Sequence, residues 1–305
     1  MGKSKHKISN WQQYNQALVQ RGSLTVWMDE QAIQQWHCQT HHGRRGRGFH
    51  YSDTIETALM LKAVFKLPLR ALEGFINSLF ELMNVPLQSP DYSCISKHAK
   101  TVDIKYRVPS QGPVAHLVID ATGLKVYGEG EWKIRKHGKE KRRVWRKLHL
   151  AVDATTHAVI AAEVSLETVA DNEVLPTLLN PLRRKIKQVS ADGAYDTKAC
   201  HALLKKKKGA KATIPPRKNA EPWEEDHPRN EAVTALKAGE LKQWKKDSGY
   251  HQRSIAETAM YRFKQLIGPK LSLRSYNAQV GEILAGVKVM NKVIGLGMPI
   301  RQAVN

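Results

Sequence analysis

The stretch His116-Leu117-Val118-Ile119-Asp120 is an apolar run that ends in an acid. Its length and its β-branched residues predict a buried strand. A second stretch of the same kind, Val189-Ser190-Ala191-Asp192, follows later in the chain. Side chains at the carboxyl ends of such strands project from the edge of a sheet, where sites in open α/β sheets form. The two stretches therefore predict a sheet that presents Asp120 and Asp192 at one edge.

Around these two stretches, strand patterns alternate with helix patterns. A glycine-containing, charged turn follows Asp120 as far as Lys141, and the turn Asp153-Ala154-Thr155-Thr156 joins the next two strands into an antiparallel hairpin. The predicted strands are residues 116–120, 144–153, 157–166, 188–192 and 212–214, and the predicted helices after the hairpin are 171–182, 197–207, 248–266 and 277–294. This order predicts an α/β fold with a mixed five-stranded sheet flanked by helices.

The chain is strongly basic. It has 305 residues, of which 49 are Lys or Arg and 28 are Asp or Glu, giving a formal charge of +21. This excess indicates a polyanionic partner such as nucleic acid. We predict phosphate contacts by two basic segments, with solvated loops as the alternative for each. The arginines of these segments are Arg44, Arg45, Arg47, Arg142, Arg143 and Arg146.

The first hundred residues predict helices. Residues 11–20, 52–65 and 69–83 carry helical patterns, Pro68 separates the last two, and Ser93 opens a further helix. This arrangement resembles a helix-turn-helix, although an ordinary helical bundle that binds nothing would give the same pattern. We predict a helical DNA-binding region over residues 1–112 and a second domain over 113–305. A polar insertion at about residues 216–246 carries Trp223, which is suited either to packing or to stacking on an unpaired base.

Four polar residues near the C-terminus have a helical spacing. Arg253, Glu257 and Lys264 follow Tyr250 at intervals of three, four and seven residues. At about 100° per residue, these intervals place all four side chains on one stripe of a helix. A carboxylate flanked by two cations and a phenol is poorly suited to packing. It is well suited to a surface that meets a metal ion and a phosphate backbone.

Asp120, Asp192 and Glu257 together suggest a metal-dependent reaction at phosphate. Mg²⁺ prefers hard oxygen ligands and needs only a few protein carboxylates, which leaves room for water and phosphate. Two such ions about 3.5–4 Å apart can clamp the attacking and leaving oxygens of an in-line displacement. The three acids therefore predict a phosphoryl-transfer site acting on DNA.

The three sequence blocks occur in an order that resembles a known family. They are Asp120-Ala121-Thr122-Gly123-Leu124-Lys125, Asp192-Gly193-Ala194-Tyr195-Asp196 and the stripe from Tyr250 to Lys264. The chain resembles the DDE transposases of bacterial insertion sequences, in particular the insertion-sequence 5 (IS5) family. The stripe agrees with the signature of that family at all four positions, and the resemblance covers nearly the whole chain.

The resemblance implies a function and a set of roles. Asp120, Asp192 and Glu257 would be the metal-binding catalytic triad of an RNase H-like fold, with Mg²⁺ as the cofactor and Mn²⁺ as a substitute. Tyr250, Arg253 and Lys264 would contact DNA. The enzyme would cleave at the ends of the element and join the freed 3′-hydroxyls to target DNA. It would work as a homodimer or higher oligomer on DNA, in the bacterial cytoplasm with the nucleoid.

Alternatives remain at this point. A nuclease of the same fold would cut without joining, and a non-catalytic DNA-binding protein would not cut at all. Asp196 competes with Asp192 for the second catalytic position, but Asp192 ends the strand, whereas Asp196 is better placed to cap the next helix. No run of about eighteen apolar residues exists, so no membrane segment is predicted. The three cysteines lie far apart, which fits a reducing cytoplasm.

Overall fold

The chain forms two compact units. One contains Met1–Tyr106 and Ser272–Asn305, and the other is Arg107–Leu271. A computed structural model describes residues 6–36, 52–109, 112–127, 144–206 and 209–303. The sequence predicted a boundary near residue 112 and placed the C-terminal segment in the second domain. In the structure, Ser272–Asn305 instead packs with the N-terminal helices.

The elements are numbered in chain order. The helices are α1 (Trp11–Gln20), α2 (Leu24–Trp27), α3 (Glu30–Gln34), α4 (Ser52–Phe65), α5 (Leu69–Leu82), α6 (Tyr92–His98), α7 (Asp171–Leu179), α8 (Lys198–Lys206), α9 (Arg229–Lys237), α10 (Leu241–Asp247), α11 (Ser254–Leu266) and α12 (Tyr276–Leu296). The strands are β1 (His6–Ile8), β2 (Val114–Val126), β3 (Trp145–Asp153), β4 (Val159–Leu166), β5 (Ile186–Ser190), β6 (Lys211–Thr213), β7 (Lys270–Leu271) and β8 (Arg301–Ala303). Two 3₁₀ helices, Gly193–Tyr195 and Tyr250–Arg253, complete the described elements.

The second unit is built on a mixed sheet. Within the described residues the sheet has six strands, in the order β4-β3-β2-β5-β6, with β7 beside the far end of β2. β3 runs antiparallel to β2 and β4, whereas β5 and β6 run parallel to β2. This order and these directions make an α/β fold with a mixed sheet flanked by helices, as predicted. The five predicted strands are all present, and β7 is the additional one.

The prediction that the first strand ends at Asp120 was wrong. β2 continues to Val126, because β3 pairs with it as far as Lys125↔Trp145. Leu124 and Val126 are buried, so the strand keeps its alternating pattern beyond the acid. Gly123 looked like a turn residue, but a Cβ there would lie 3.3 Å from the Trp145 ring. The glycine thus makes room for an aromatic side chain on the neighbouring strand.

Apolar side chains of the sheet and of α7 and α8 form the core of the second unit. Val114, Leu117 and Ile119 of β2 are fully buried in it, together with Val189 of β5 and Tyr195 of the first 3₁₀ helix. Burial of apolar surface at about 25 cal/mol per Å² is the main force that holds these layers together. The core therefore fixes the segments that carry Asp120 and Asp192.

The first unit consists of helices and a small two-stranded sheet of β1 and β8. The predicted N-terminal helices are confirmed as α1, α4, α5 and α6, within one residue at each described end. Lys62 of α4 donates a hydrogen bond of 2.5 Å to Glu282 of α12, and both side chains are buried. Glu282 also accepts hydrogen bonds from the backbone N–H groups of Ser272 and Leu273. This network ties the start of the C-terminal segment to the N-terminal helices.

No helix in the described ranges is long and apolar enough to cross a bilayer.

Close backbone approach fixes where α12 meets the end of α6. A Cβ on Gly281 would lie 2.5 Å from the carbonyl oxygen of Ala99, so α12 can pack there only with glycine. Gly295 lies on the same helix with no atom within 4 Å of an added Cβ. Alanine at either position gains the general preference of helices for alanine over glycine. Only alanine at Gly281 would also collide with the neighbouring backbone.

We expect Gly281→Ala to destabilise the protein by about 1–3 kcal/mol, because the backbone of two helices must separate. Gly295→Ala should stabilise it by roughly 0.5–1 kcal/mol, since it only removes backbone freedom from the unfolded chain. Urea unfolding of both variants measures the difference. Equal effects in the two variants would contradict the close approach of α12 to Ala99.

Candidate active site

The register of the sheet brings Asp120 and Asp192 side by side. In the parallel pairing of β2 with β5, Val118 is opposite Ser190. Asp120 lies two residues after Val118, and Asp192 lies two residues after Ser190. Both side chains are half-buried. The structure therefore places the two predicted aspartates at matching positions where the parallel ladder ends.

Asp192 is held by the turn that follows it. Its Oδ1 accepts a hydrogen bond of 2.9 Å from the backbone N–H of Ala194, which caps the 3₁₀ helix Gly193–Tyr195. Tyr195 is fully buried in the core and anchors the other end of this turn. The carboxylate of Asp192 is thus held through one of its oxygens by the backbone of the turn.

Glu257 lies in the first turn of α11. The helix buries Ala256, Ala259, Met260 and Phe263, and it contacts β2 and β3. Glu257 itself is exposed beside this apolar face. Packing of the helix on the sheet therefore brings the third acid to the strand that carries Asp120.

The prediction of one continuous helix from residue 248 was wrong at its start. Tyr250 and Arg253 lie on a 3₁₀ helix, which follows Gly249 in a left-handed conformation, and α11 begins only at Ser254. Gln188 of β5 donates a hydrogen bond of 2.7 Å to the carbonyl oxygen of Ser248 and so ties this segment to the sheet. Because a 3₁₀ helix has about three residues per turn, Tyr250 and Arg253 still share one side.

Arg253 joins two of the acids. Its Nη1 donates a hydrogen bond of 2.8 Å to Oδ2 of Asp120, and its Nη2 donates to Oε1 of Glu257. The guanidinium carbon also lies 5.8 Å from the centre of the Tyr250 ring. One arginine therefore holds Asp120, Glu257 and Tyr250 in a single cluster.

The charges of the cluster are strongly coupled. Burial raises the pKa of Asp120, and the nearby Asp192 and Glu257 raise it further, although Arg253 lowers it. Burial also raises the pKa of Tyr250. Burial lowers the pKa of Arg253. The neighbouring Tyr250, Asp120 and Glu257 raise this pKa by more, so that it lies above its usual value. The three carboxylates thus repel one another, and a cation at this place lowers the energy of the cluster.

The donor set fits a hard divalent cation. Three carboxylates supply oxygen ligands of the kind that Mg²⁺ prefers. In the part of the chain that the structure describes, however, no three His, Cys, Asp or Glu side chains stand close enough together to hold an ion. Arg253 occupies the space between Asp120 and Glu257. The chemistry of the site therefore suits a metal, and the guanidinium provides the positive charge among the side chains.

Of the other residues predicted to contact DNA, the structure describes Lys264 and Arg146. Lys264 is half-buried, two helical turns from Glu257 on α11. Arg146 is half-buried on β3 and donates a hydrogen bond to the carbonyl oxygen of Trp145. Five further predicted contacts lie outside the described residues. They are Arg44, Arg45, Arg47, Arg142 and Arg143.

Asp196 does not cap α8, contrary to the sequence-based expectation. Thr197 Oγ1 accepts from the N–H of Cys200 instead. Asp196 is buried and forms a bidentate ion pair with Arg229, at 2.5 and 2.6 Å. His201 Nε2 lies 3.3 Å from the same carboxylate. This pair connects the loop after Asp192 to the insertion, and no sequence signal pointed to it, because 33 residues separate the partners.

Trp223 of the insertion packs within this network. The guanidinium of Arg229 lies 4.0 Å from the centre of its ring, and His201 and His227 make edge contacts with the ring. These contacts favour the packing role among the two that the sequence left open.

Comparisons with known proteins show the family of the chain. A family model described as "Transposase DDE domain" matches residues 113–291, more than half of the chain, and a second model with the same description matches residues 19–129. The cryo-EM structure of the piggyBac transposase synaptic complex with hairpin DNA is also similar. It aligns with a TM-score of 0.38 and 13% sequence identity, covering 95% of this chain and 77% of that chain.

We expect Asp196→Asn to destabilise the protein by about 3–5 kcal/mol at neutral pH, because Arg229 would remain buried without its partner. Burial would raise the pKa of Asp196, but hydrogen bonds from His201 and Arg229 and the charge of Arg229 lower it to about 2. A carboxyl group with a lowered folded-state pKa stabilises the fold above its unfolded pKa of 3.8. That contribution disappears as the pH falls towards 2.

Urea unfolding of wild type and of Asp196→Asn between pH 7 and pH 2.5 tests the loss of stability and its dependence on pH. The difference in free energy of unfolding should be constant at neutral pH and should shrink below about pH 4. A difference that does not change over this range would show that the ionised form of Asp196 adds nothing to stability. Asp226→Asn, at an exposed position of the same insertion, is the matched control.

Proposed function

Because the chain belongs to the DDE transposase family, we propose that it cleaves the ends of an insertion element and joins the freed 3′-hydroxyls to target DNA. Two observations support this proposal. The register of β2 and β5 sets Asp120 beside Asp192, and Arg253 hydrogen-bonds to both Asp120 and Glu257. We also assign the chain to the IS5 family of bacterial insertion sequences, on the spacing from Tyr250 to Lys264.

The proposed roles follow from the position of each acid. Asp120, Asp192 and Glu257 would hold a metal ion, for which Mg²⁺ is the expected ion and Mn²⁺ a substitute. Bound metal supplies Lewis acidity at the scissile phosphate and lowers the pKa of the attacking oxygen. Asp192 is kept in place by its hydrogen bond to Ala194, and Asp120 is kept in place by the two strands that flank it.

Arg253 organises the site before DNA arrives. It holds Asp120 and Glu257 together, which offsets their mutual repulsion. A guanidinium is also well suited to paired hydrogen bonds with a phosphate, so Arg253 can exchange carboxylate oxygens for phosphate oxygens of DNA. Tyr250 and Lys264 add further contacts to the DNA near the reacting bond.

A single chemistry serves both steps. Cleavage is the in-line displacement of a 3′-oxygen at phosphorus by water, and joining is the same displacement by the freed 3′-hydroxyl. Neither step requires a covalent enzyme intermediate, so no nucleophilic Ser or Cys is involved. Joining two ends to one target requires two active sites close together, and we therefore propose a homodimer or higher oligomer on DNA, working at the bacterial nucleoid.

We expect Glu257→Gln to reduce both cleavage and joining by more than about 100-fold, since loss of groups that merely support a metal ligand already costs up to that factor. DNA affinity should remain close to that of wild type. The assay uses a supercoiled plasmid that carries candidate element ends, with Mg²⁺, at matched DNA occupancy. Glu257 is exposed, so its replacement leaves the core intact.

Glu225→Gln provides the matched control, because Glu225 is an exposed glutamate of the same unit outside the site. Full activity of the Glu257→Gln variant would refute the assignment of the third acid. Cleavage without joined products in wild type would identify a nuclease of the same fold. Specific binding without chemistry under all conditions would leave a DNA-binding protein.

A further inference from the structure

A basic groove crosses the first unit, and none of its lining residues has been discussed so far as a DNA contact. Its volume is about 790 Å³. The start of α5, one side of α6 and the first residues of the C-terminal segment form its walls. The polar residues that line it are Lys62, Arg70, Tyr92, Ser93, Ser96, Lys97, Lys100, Ser272 and Arg274.

The lining carries five cations and no carboxylate. Lys62 is neutralised by Glu282, but Arg70, Lys97, Lys100 and Arg274 are exposed and form no ion pair with a described residue. Two further acids hydrogen-bond to lining residues or their backbone. Asp91 accepts hydrogen bonds from the N–H and Oγ of Ser93 and caps α6, and Glu73 accepts from the N–H of Tyr92. Four unpaired cations face two acids, so the groove keeps an excess of positive charge.

The spacing along α6 explains why the polar groups share one wall. Ser93, Ser96, Lys97 and Lys100 follow one another at intervals that keep them on one side of a helix and the turn after it. Ile95 and Ala99, between them, are buried on the opposite side. Packing of the apolar side fixes the direction in which the lysines and hydroxyls face.

Both walls are held rigidly by the rest of the unit. The guanidinium of Arg70 lies 4.9 Å from the centre of the Tyr92 ring, which links α5 to α6. On the other wall, Gln279 donates hydrogen bonds to the carbonyl oxygens of Leu273 and Arg274, at 2.9 and 3.1 Å. Glu282 accepts hydrogen bonds from the backbone N–H groups of Ser272 and Leu273. The backbone of the groove is thus organised without any ligand.

We propose that this groove binds the sugar–phosphate backbone of duplex DNA. Lys and Arg with Ser hydroxyls and a Tyr ring are the groups that most often contact phosphate and sugar. Such contacts supply affinity and position the duplex without reading its sequence. The inference rests on the proposed function in one respect, namely that DNA is the polyanion the protein handles. It adds a binding surface that is separate from the residues around Asp120.

The test compares two double variants that lose the same charge. Lys97→Gln/Lys100→Gln removes two cations from the groove. Lys7→Gln/Arg301→Gln removes two exposed cations of the same unit that do not line it. Fluorescence anisotropy with labelled duplexes of random and element-end sequence measures affinity between about 50 and 200 mM salt, the range over which phosphate contacts dominate.

The groove variant should bind both duplexes more weakly, by a similar factor. The slope of log affinity against log salt should become shallower by about 2, since each lost phosphate contact removes roughly 0.9. The control variant should keep the slope of wild type. Lys97→Arg/Lys100→Arg should also keep it, because the charge is retained. Circular dichroism and thermal unfolding check that every variant is folded.

Three results would overturn the proposal. They are an unchanged slope in the groove variant, an equal loss in the control variant, and a loss of affinity for RNA but not for DNA. Plasmid cleavage at saturating DNA keeps the two proposals distinct. If wild type cleaves and the groove variant binds DNA as wild type does, the groove proposal is wrong and the proposed function stands. If wild type binds DNA through the groove but never cleaves it, the proposed function is wrong and the groove proposal stands.

Discussion

The site depends on the position of β2 in the sheet. β2 pairs with β3 on one edge along nine consecutive residue pairs, and with β5 and then β7 on the other edge. Because a strand paired on both edges cannot shift its register without moving every side chain to the opposite face, the position of Asp120 is fixed by the whole sheet. Parallel pairing with β5 then places Asp192 beside it. The juxtaposition of the two aspartates is therefore a consequence of register.

Register alone would produce an unfavourable cluster of like charges. The half-buried Asp120 lies close enough to Asp192 and Glu257 for both to raise its pKa. Arg253 offsets this repulsion within the protein, since it hydrogen-bonds to Asp120 and Glu257 together. The guanidinium and a divalent cation would neutralise the same oxygens. In the proposed function, binding of metal and DNA would thus exchange the partners of these carboxylates.

Much of this arrangement follows from the sequence, and the failures have physical causes. Apolar runs that end in Asp120 and Asp192 and the helical pattern around Glu257 were sufficient to predict three acids, an α/β sheet and the helical N-terminal region. The extent of β2 was missed because Gly123 looks like a turn residue, although its role is to accept the Trp145 ring. The partnership of Asp196 with Arg229, and the packing of α12 against Ala99, depend on contacts between distant residues that leave no local pattern.

Binding and chemistry place different demands on charge, and this chain meets them with different residue types. Phosphate contacts are weak, nearly additive and sensitive to salt, so a protein gains affinity from many cations on rigid exposed surfaces. A reacting phosphate needs a few groups in one geometry, and loss of any one of them disables the set. In the proposed function, the net charge of +21 serves the first task, whereas the three carboxylates and Arg253 serve the second. A substitution that changes the salt dependence without changing the rate at saturating DNA therefore identifies a binding residue, whatever its position in the fold.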